Sequence, residues 1–66
     1  MQITIKAARV NAGLSQSELA KAVGVSTQTL NAWENGHTEP KIGQAKKICE
    51  VLGVSVEKIF FPTKSI

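Results

Sequence analysis

Short helical stripes of apolar residues run along the chain, and several end at a glycine that a new polar cap follows. One seven-residue pattern, with Gly, an apolar residue, Ser and an apolar residue four after the Ser, begins at Gly13, Gly24 and Gly53. Gly adopts the left-handed dihedrals that follow a last helical turn, and Ser accepts hydrogen bonds from the amides of the next first turn. The pattern therefore predicts helix ends that are followed directly by helix starts.

Three helices are predicted before residue 37, each between a cap and a terminal glycine: Thr4 to Gly13, Ser15 to Gly24 and Ser26 to Gly36. Their inner stripes are Ile5, Ala8, Arg9 and Ala12, then Leu19, Ala20 and Val23, then Leu30 and Trp33. The second helix has only about two turns, so it has to pack against a neighbour to persist. A short helix, a turn with Gly and another helix form the arrangement that places a helix in the DNA major groove.

For the second half of the chain, the sequence pattern predicts a loop and two further helices. The loop spans His37 to Pro40, and the stripe of the fourth helix, which stops at Gly53, consists of Ile42, Ala45, Ile48, Cys49 and Leu52. A brief fifth helix is predicted from Val56 to Phe60, with Ile59 and Phe60 facing inward and Pro62 preventing continuation.

Length and composition indicate one small folded domain over residues 1–66, with a core at about 4–61 and a flexible tail at 62–66. Hydrophobic residues make up 42% of the chain, and Cys49 is its single cysteine, so no disulfide can form within it. Net charge is +3, which suits a polyanionic partner without requiring one. We find no apolar run long enough to span a bilayer and no signal peptide, and expect a cytoplasmic protein.

The residues of the chain give little indication of an enzyme's active site. His37 is the only histidine and has no second ligand nearby, which argues against a metal site, and Cys49 on an apolar stripe is better explained as an inert buried thiol. The chain has no Asp, no phosphate-binding glycine loop and no close pair of acids. We therefore expect neither an enzyme nor a cofactor.

The outward side of the third helix carries amides rather than charges. Gln28, Asn31, Ala32 and Asn35 lie opposite Leu30 and Trp33 on a helical wheel. Amides in that position suit base edges, but a bundle of short capped helices with a merely solvated face has the same pattern.

Motifs along most of the chain carry a family resemblance. Three segments resemble the phage Cro and repressor family, also called xenobiotic-response-element-type regulators. They are the window from Gln16 to Asn35, then Trp33-Glu34-Asn35-Gly36 with Pro40, and then Ile48 through Leu52-Gly53-Val54-Ser55 to Ile59-Phe60. The match covers roughly residues 5–60. It implies an all-α, compact five-helix, lambda-repressor-like domain whose helices 2 and 3 form the helix-turn-helix. It also implies a transcription regulator that reads double-stranded DNA.

The resemblance implies roles for individual positions. Those facing base edges are Thr27, Gln28, Asn31 and Ala32, and those at the DNA backbone are Gln16, Ser26, Asn35, His37 and Lys41. The helix-turn-helix itself rests on Leu19, Ala20, Gly24, Val25, Leu30 and Trp33, and Arg9 pairs with Glu34. Gln28 is the best candidate for reading a base, since an amide matches adenine N6 and N7. Ala32 stands where several relatives carry a long polar side chain, which shifts base contacts toward Gln28 and Asn31.

Two functions remain open at this point. The first is a stand-alone repressor or Cro-like regulator that reads an inverted-repeat operator in a prokaryotic cell or phage-infected host. It would pair weakly or only on DNA, through Phe61 and Ile66 unless Phe61 folds onto its own core, and a protein antagonist could regulate it. The second is a protein-binding module of the same fold, such as an antitoxin or anti-repressor. Intact caps and amides on the third helix favour DNA.

Overall fold

The computed structural model describes residues 2–61. Their elements are β1 (Ile3–Thr4), α1 (Ile5–Asn11), α2 (Gln16–Val23), α3 (Thr27–Glu34), α4 (Ile42–Leu52), a 3₁₀ turn (Val56–Lys58) and β2 (Ile59–Phe60). The all-α class is confirmed. The predicted tail at 62–66, including Pro62 and Ile66, lies outside the described residues.

Each of the first three helices begins at its predicted cap. The Thr4 hydroxyl accepts from the Ala7 N–H at 3.0 Å, and the Ser26 hydroxyl accepts from the Thr29 N–H at 3.1 Å. At α2 the Ser15 hydroxyl accepts from the Glu18 N–H at 3.0 Å, and the Glu18 carboxylate accepts from the Ser15 N–H at 2.8 Å. This reciprocal pair is a capping box.

Gly24 forms the turn between α2 and α3. Its φ of 88° lies in the left-handed region, which residues with a β-carbon rarely adopt. The Val25 N–H then donates to the Ala20 carbonyl at 2.9 Å, so the end of α2 is closed before α3 begins. The turn thereby fixes the angle between the two helices.

One hydrophobic core joins all four helices and β2. Its buried residues are Ile5, Ala8, Leu19, Ala20, Leu30, Trp33, Ile48, Cys49 and Ile59. Half-buried residues that pack around it include Leu14, Val25, Leu52 and Phe61. Phe61 therefore folds onto its own core, the second of the two options that the sequence left open. No helix of residues 2–61 is long and apolar enough to cross a membrane.

The predicted fifth helix is wrong, and so is the inward position of Phe60. After the 3₁₀ turn the chain becomes extended, and Ile59 and Phe60 pair in parallel with Ile3 and Thr4. Successive residues of a strand face opposite sides. Ile59 is therefore buried at 2% exposure, whereas Phe60 is 47% exposed.

Two residues assigned to inner stripes also lie at the surface. Ile42 is the first residue of α4 and is 77% exposed, because the core begins further along that helix. Ala12 follows the last residue of α1 as its C-terminal cap and is exposed. Helical periodicity holds in the middle of each helix and fails at these ends.

Candidate nucleic-acid interface

The inner sides of α2 and α3 pack closely on each other and on the core. Leu19, Ala20, Leu30 and Trp33 are buried, and Val25 in the turn is half-buried. The small side chain of Ala20 permits close approach of the two helices where they cross. Because this apolar inner side is buried against α2 and the core, the opposite side of α3 faces outward.

The outward side of α3, here called the α3 face, consists of Thr27, Gln28, Asn31 and Ala32. The first three side chains are exposed and Ala32 is half-buried. Three uncharged polar side chains on one exposed helical surface can donate to and accept from the edges of base pairs. Ala32 adds an apolar surface of the kind that contacts a thymine methyl group.

A buried ion pair holds α3 against α1. Arg9 Nε lies 2.8 Å from Glu34 Oε2, and the side chains of Arg9 and Glu34 are only 11% and 3% exposed. Arg9 Nη1 also donates to the Leu14 carbonyl at 2.9 Å, in the connection between α1 and α2. A buried charge is stable only when it is paired in this way. One guanidinium thus links α1, the connection between α1 and α2, and the end of α3.

Gln16, the first residue of α2, bonds to α3. Its Nε2 donates to Glu34 Oε1 at 3.0 Å and to Asn31 Oδ1 at 3.2 Å. The side chain is half-buried, which fits these two contacts. Contact of Gln16 with a DNA phosphate stays a prediction.

The other residues predicted at the DNA backbone lie at the start of α3 or in the segment that follows it. Ser26 caps α3, and Asn35 ends it; both are exposed. His37 and Lys41 are exposed in the connection to α4, where the His37 N–H donates to the Ala32 carbonyl at 2.9 Å. Ser26 and Asn35 therefore border α3 at its two ends.

Residues 2–61 contain no pocket and no group of three His, Cys or Glu side chains that could hold a metal ion. Cys49 is buried in the core, and this burial raises the pKa of its thiol. A buried neutral thiol is a poor nucleophile.

Comparison with known proteins matches residues 5–59 to a family model described as helix-turn-helix. An uncharacterized HTH-type transcriptional regulator of Methanocaldococcus jannaschii is 42% identical over 60 residues, which are 91% of each chain. The crystal structure of SinR, the Bacillus subtilis master regulator for biofilm formation, in complex with DNA has a TM-score of 0.74 at 41% identity. The match covers 80% of this chain and 86% of the SinR chain in that structure. The chain belongs to the helix-turn-helix family of transcriptional regulators.

A phage protein is also among its relatives. The cryptic phage CTXphi transcriptional repressor RstR of Vibrio cholerae is 33% identical over 55 residues, which cover 83% of this chain and 50% of RstR. The predicted resemblance to phage repressors is therefore confirmed.

Sequence reasoning missed one feature of this helix-turn-helix, the pair of bonds from Gln16 to α3. Gln16 is separated from Asn31 by 15 positions and from Glu34 by 18. No local pattern reports a contact between side chains that far apart. The available signal was that Gln16 begins a helix packed against the one that carries Glu34.

Proposed function

We propose that this helix-turn-helix protein is a stand-alone transcriptional repressor or Cro-like regulator that binds double-stranded DNA in a sequence-specific manner. The α3 face enters the major groove, where Gln28 and Asn31 contact base edges. The observation that carries this proposal is the exposure of both amides on a helix that packs on α2 and is joined to α1 by the Arg9–Glu34 pair. The protein acts on DNA inside a prokaryotic cell and catalyses no reaction.

Charge and similarity support the proposal. The net charge of +3 favours a polyanion, and Lys41, in the connection between α3 and α4, is exposed. The SinR structure was determined in complex with DNA, and RstR is named a transcriptional repressor. A protein-binding module would more commonly present an apolar or acidic surface on α3.

We also propose that two copies pair on an inverted-repeat operator, weakly or only in the presence of DNA. A single α3 spans few base pairs, and readers of this kind gain affinity when two half-sites lie about one helical turn apart, roughly 34 Å. Phe60 is 47% exposed and Val56, four positions earlier, is 49% exposed, so these two apolar side chains are our candidate for the contact between copies. They replace Phe61, which packs on the core.

Selection from a random pool of double-stranded DNA tests the function. We expect an enriched inverted repeat whose half-site centres are about 10 base pairs apart. A folded protein that enriches no sequence would overturn sequence-specific binding.

Substitution of Gln28 tests the assigned surface. Gln28→Ala should weaken binding to the selected operator by about 1 to 3 kcal/mol and leave binding to unrelated DNA nearly unchanged. Gln2→Ala is the matched control, because Gln2 precedes β1 and its amide donates to the Glu57 carbonyl. Equal losses in the two variants would contradict the role of the α3 face.

Sedimentation of the protein with and without operator tests pairing. We expect two copies on the full operator and reduced cooperativity in Phe60→Ser. A strict one-to-one complex on a symmetric operator would exclude pairing, and undiminished cooperativity in folded Phe60→Ser would exclude this surface.

A further inference from the structure

The end of α3 carries the one Asn-Gly sequence in the chain, Asn35-Gly36, and the Asn35 side chain is exposed. Gly has no β-carbon to hinder attack of its backbone nitrogen on the preceding side chain. We infer that Asn35 is a deamidation site controlled by opening of the last turn of α3, and that the resulting carboxylate weakens DNA binding. The loss of DNA affinity rests on the proposed function, whereas the modification does not.

Deamidation at this position needs only water as a second reactant. The Gly36 nitrogen attacks Asn35 Cγ, the new N–C bond closes a five-membered succinimide ring, and the side-chain amino group leaves as ammonia with the backbone amide proton. Water then opens the ring at either of its carbonyls and gives aspartate or isoaspartate. A neutral amide becomes a carboxylate that is ionised at neutral pH, so the net charge of +3 falls by one.

The folded turn opposes closure of the ring. The ring requires Asn35 Cβ to eclipse the Gly36 nitrogen, whereas at a ψ of −1° the backbone nitrogen of Asn35 is the eclipsed atom. Rotation of this peptide breaks the bond from the Gly36 N–H to the Trp33 carbonyl at 3.2 Å. It also displaces the His37 N–H, which donates to the Ala32 carbonyl at 2.9 Å. Reaction therefore proceeds from molecules in which the last turn of α3 has opened locally.

Asn11 and Asn31 provide a comparison within the same chain. Both precede an alanine, whose β-carbon hinders the attacking nitrogen. Asn31 lies inside α3, and the Ala12 N–H that follows Asn11 donates to two carbonyls, at 3.0 and 3.1 Å. The Gly36 N–H donates at 3.2 Å beyond the end of its helix, where helices fray most easily. We therefore expect Asn35 to react first.

The product places a negative charge at the end of the helix that is proposed to enter the major groove. Asn35 directly follows α3 and is one of the residues predicted at the DNA backbone. A carboxylate at that position repels phosphates and lies at the negative end of the helix dipole. We expect the deamidated protein to bind the selected operator at least about 10-fold more weakly.

Incubation at mildly alkaline pH followed by peptide mass spectrometry tests the site. We expect conversion of Asn35 before any change at Asn11 or Asn31, and faster conversion in urea than in the folded protein. Ala32→Gly loosens the last turn of α3 and should speed conversion in the folded protein by about 5-fold. Ala22→Gly is the matched control, because Ala22 is exposed in α2, and it should stay within about 2-fold of the wild type.

Three results would overturn this site. One is faster reaction at Asn11 or Asn31, and another is the absence of conversion at Asn35 in both the folded wild type and Ala32→Gly. The third is equal acceleration in Ala32→Gly and Ala22→Gly, because unfolding of the whole domain would then control the reaction instead of the last turn of α3.

Operator binding tests the consequence separately. Deamidated protein separated by ion exchange, and Asn35→Asp, should both lose affinity at least about 10-fold. Ser55→Asp makes the same change of charge at an exposed position after α4 and should stay within about 2-fold. Undiminished affinity in Asn35→Asp, shown by thermal unfolding to be folded, would overturn the effect on DNA. A protein that deamidates at Asn35 but selects no DNA sequence would instead overturn the proposed function and leave the modification site in place.

Discussion

Two copies of the same seven-residue pattern fold differently, one beginning at Gly24 and the other at Gly53. In the first, the Ser26 hydroxyl accepts from the Thr29 N–H, and the eight residues of α3 follow. In the second, the Ser55 side chain makes no cap bond, and only a 3₁₀ turn of three residues follows before β2. The first copy builds the α3 face, whereas the second leads into β2.

The two copies differ in how many of the residues after the cap are buried in the core. Leu30 and Trp33 follow Ser26 at helical spacing, and both are buried. Among residues 56–61 only Ile59 is buried, and its backbone pairs with Ile3 of β1. A short helix depends on packing, so a cap indicates where a helix can start while tertiary contacts decide whether it continues.

The largest expected effect concerns Ile59 and Phe60, which a helix would have placed on one inward side. Ile59→Ala should lower the free energy of unfolding by about 2 to 5 kcal/mol, since it leaves a cavity in the core. Phe60→Ala, at an exposed position, should change it by less than about 1 kcal/mol. Urea denaturation measures both values. Similar losses in the two variants would support a helix instead of β2.

A second prediction concerns the turn at Gly24. Gly24→Val should cost about 1 to 2 kcal/mol through backbone strain alone, because a β-carbon there meets no atom within 4 Å but φ is 88°. DNA affinity should fall together with stability. Gly43→Ala is the control, since Gly43 lies in α4 with open space around it and should gain up to about 1 kcal/mol. Full thermal stability and full affinity in Gly24→Val would refute the turn.

The two caps should differ in a direct test. Ser26→Ala removes the acceptor of the Thr29 N–H and should cost about 1 kcal/mol. Ser55→Ala removes no cap bond, so its effect should stay within about 0.5 kcal/mol. Thermal unfolding of both variants at one pH checks the contrast, and equal losses would mean that Ser55 caps a helix after all.

The smallest effect concerns Glu18, three residues after Ser15, a position at which the copy beginning at Gly53 has Lys58. Hydrogen bonds from the Ser15 backbone and then from its side chain hold the pKa of Glu18 below its ordinary value. Their stabilising contribution is therefore present above the ordinary pKa of Glu and is lost as the pH falls through the lowered value. Glu18→Gln should be slightly less stable than the wild type at neutral pH, and acid should remove that difference. A difference independent of pH would contradict the charged capping box.

Local signals in the sequence were sufficient for the helix-turn-helix. Its caps, turn glycine and inner residues all lie within a few positions of one another in the sequence. Dihedral preferences and helical periodicity predict structure over such short sequence separations. The pairing of Ile3 with Ile59 joins the two ends of the described chain, so neither strand is recognisable alone. Likewise, the exposed amides of α3 follow from its periodicity, whereas the bonds of Gln16 to α3 depend on how two helices cross.

A titration of ¹⁵N-labelled protein with the selected operator, followed by NMR, tests the central claim that the α3 face binds DNA. We predict the largest chemical-shift changes at Thr27, Gln28 and Asn31, with little change in β1 or in the interior of α4. Largest changes in α4 or at the β1–β2 pair, with α3 unaffected, would contradict the claim.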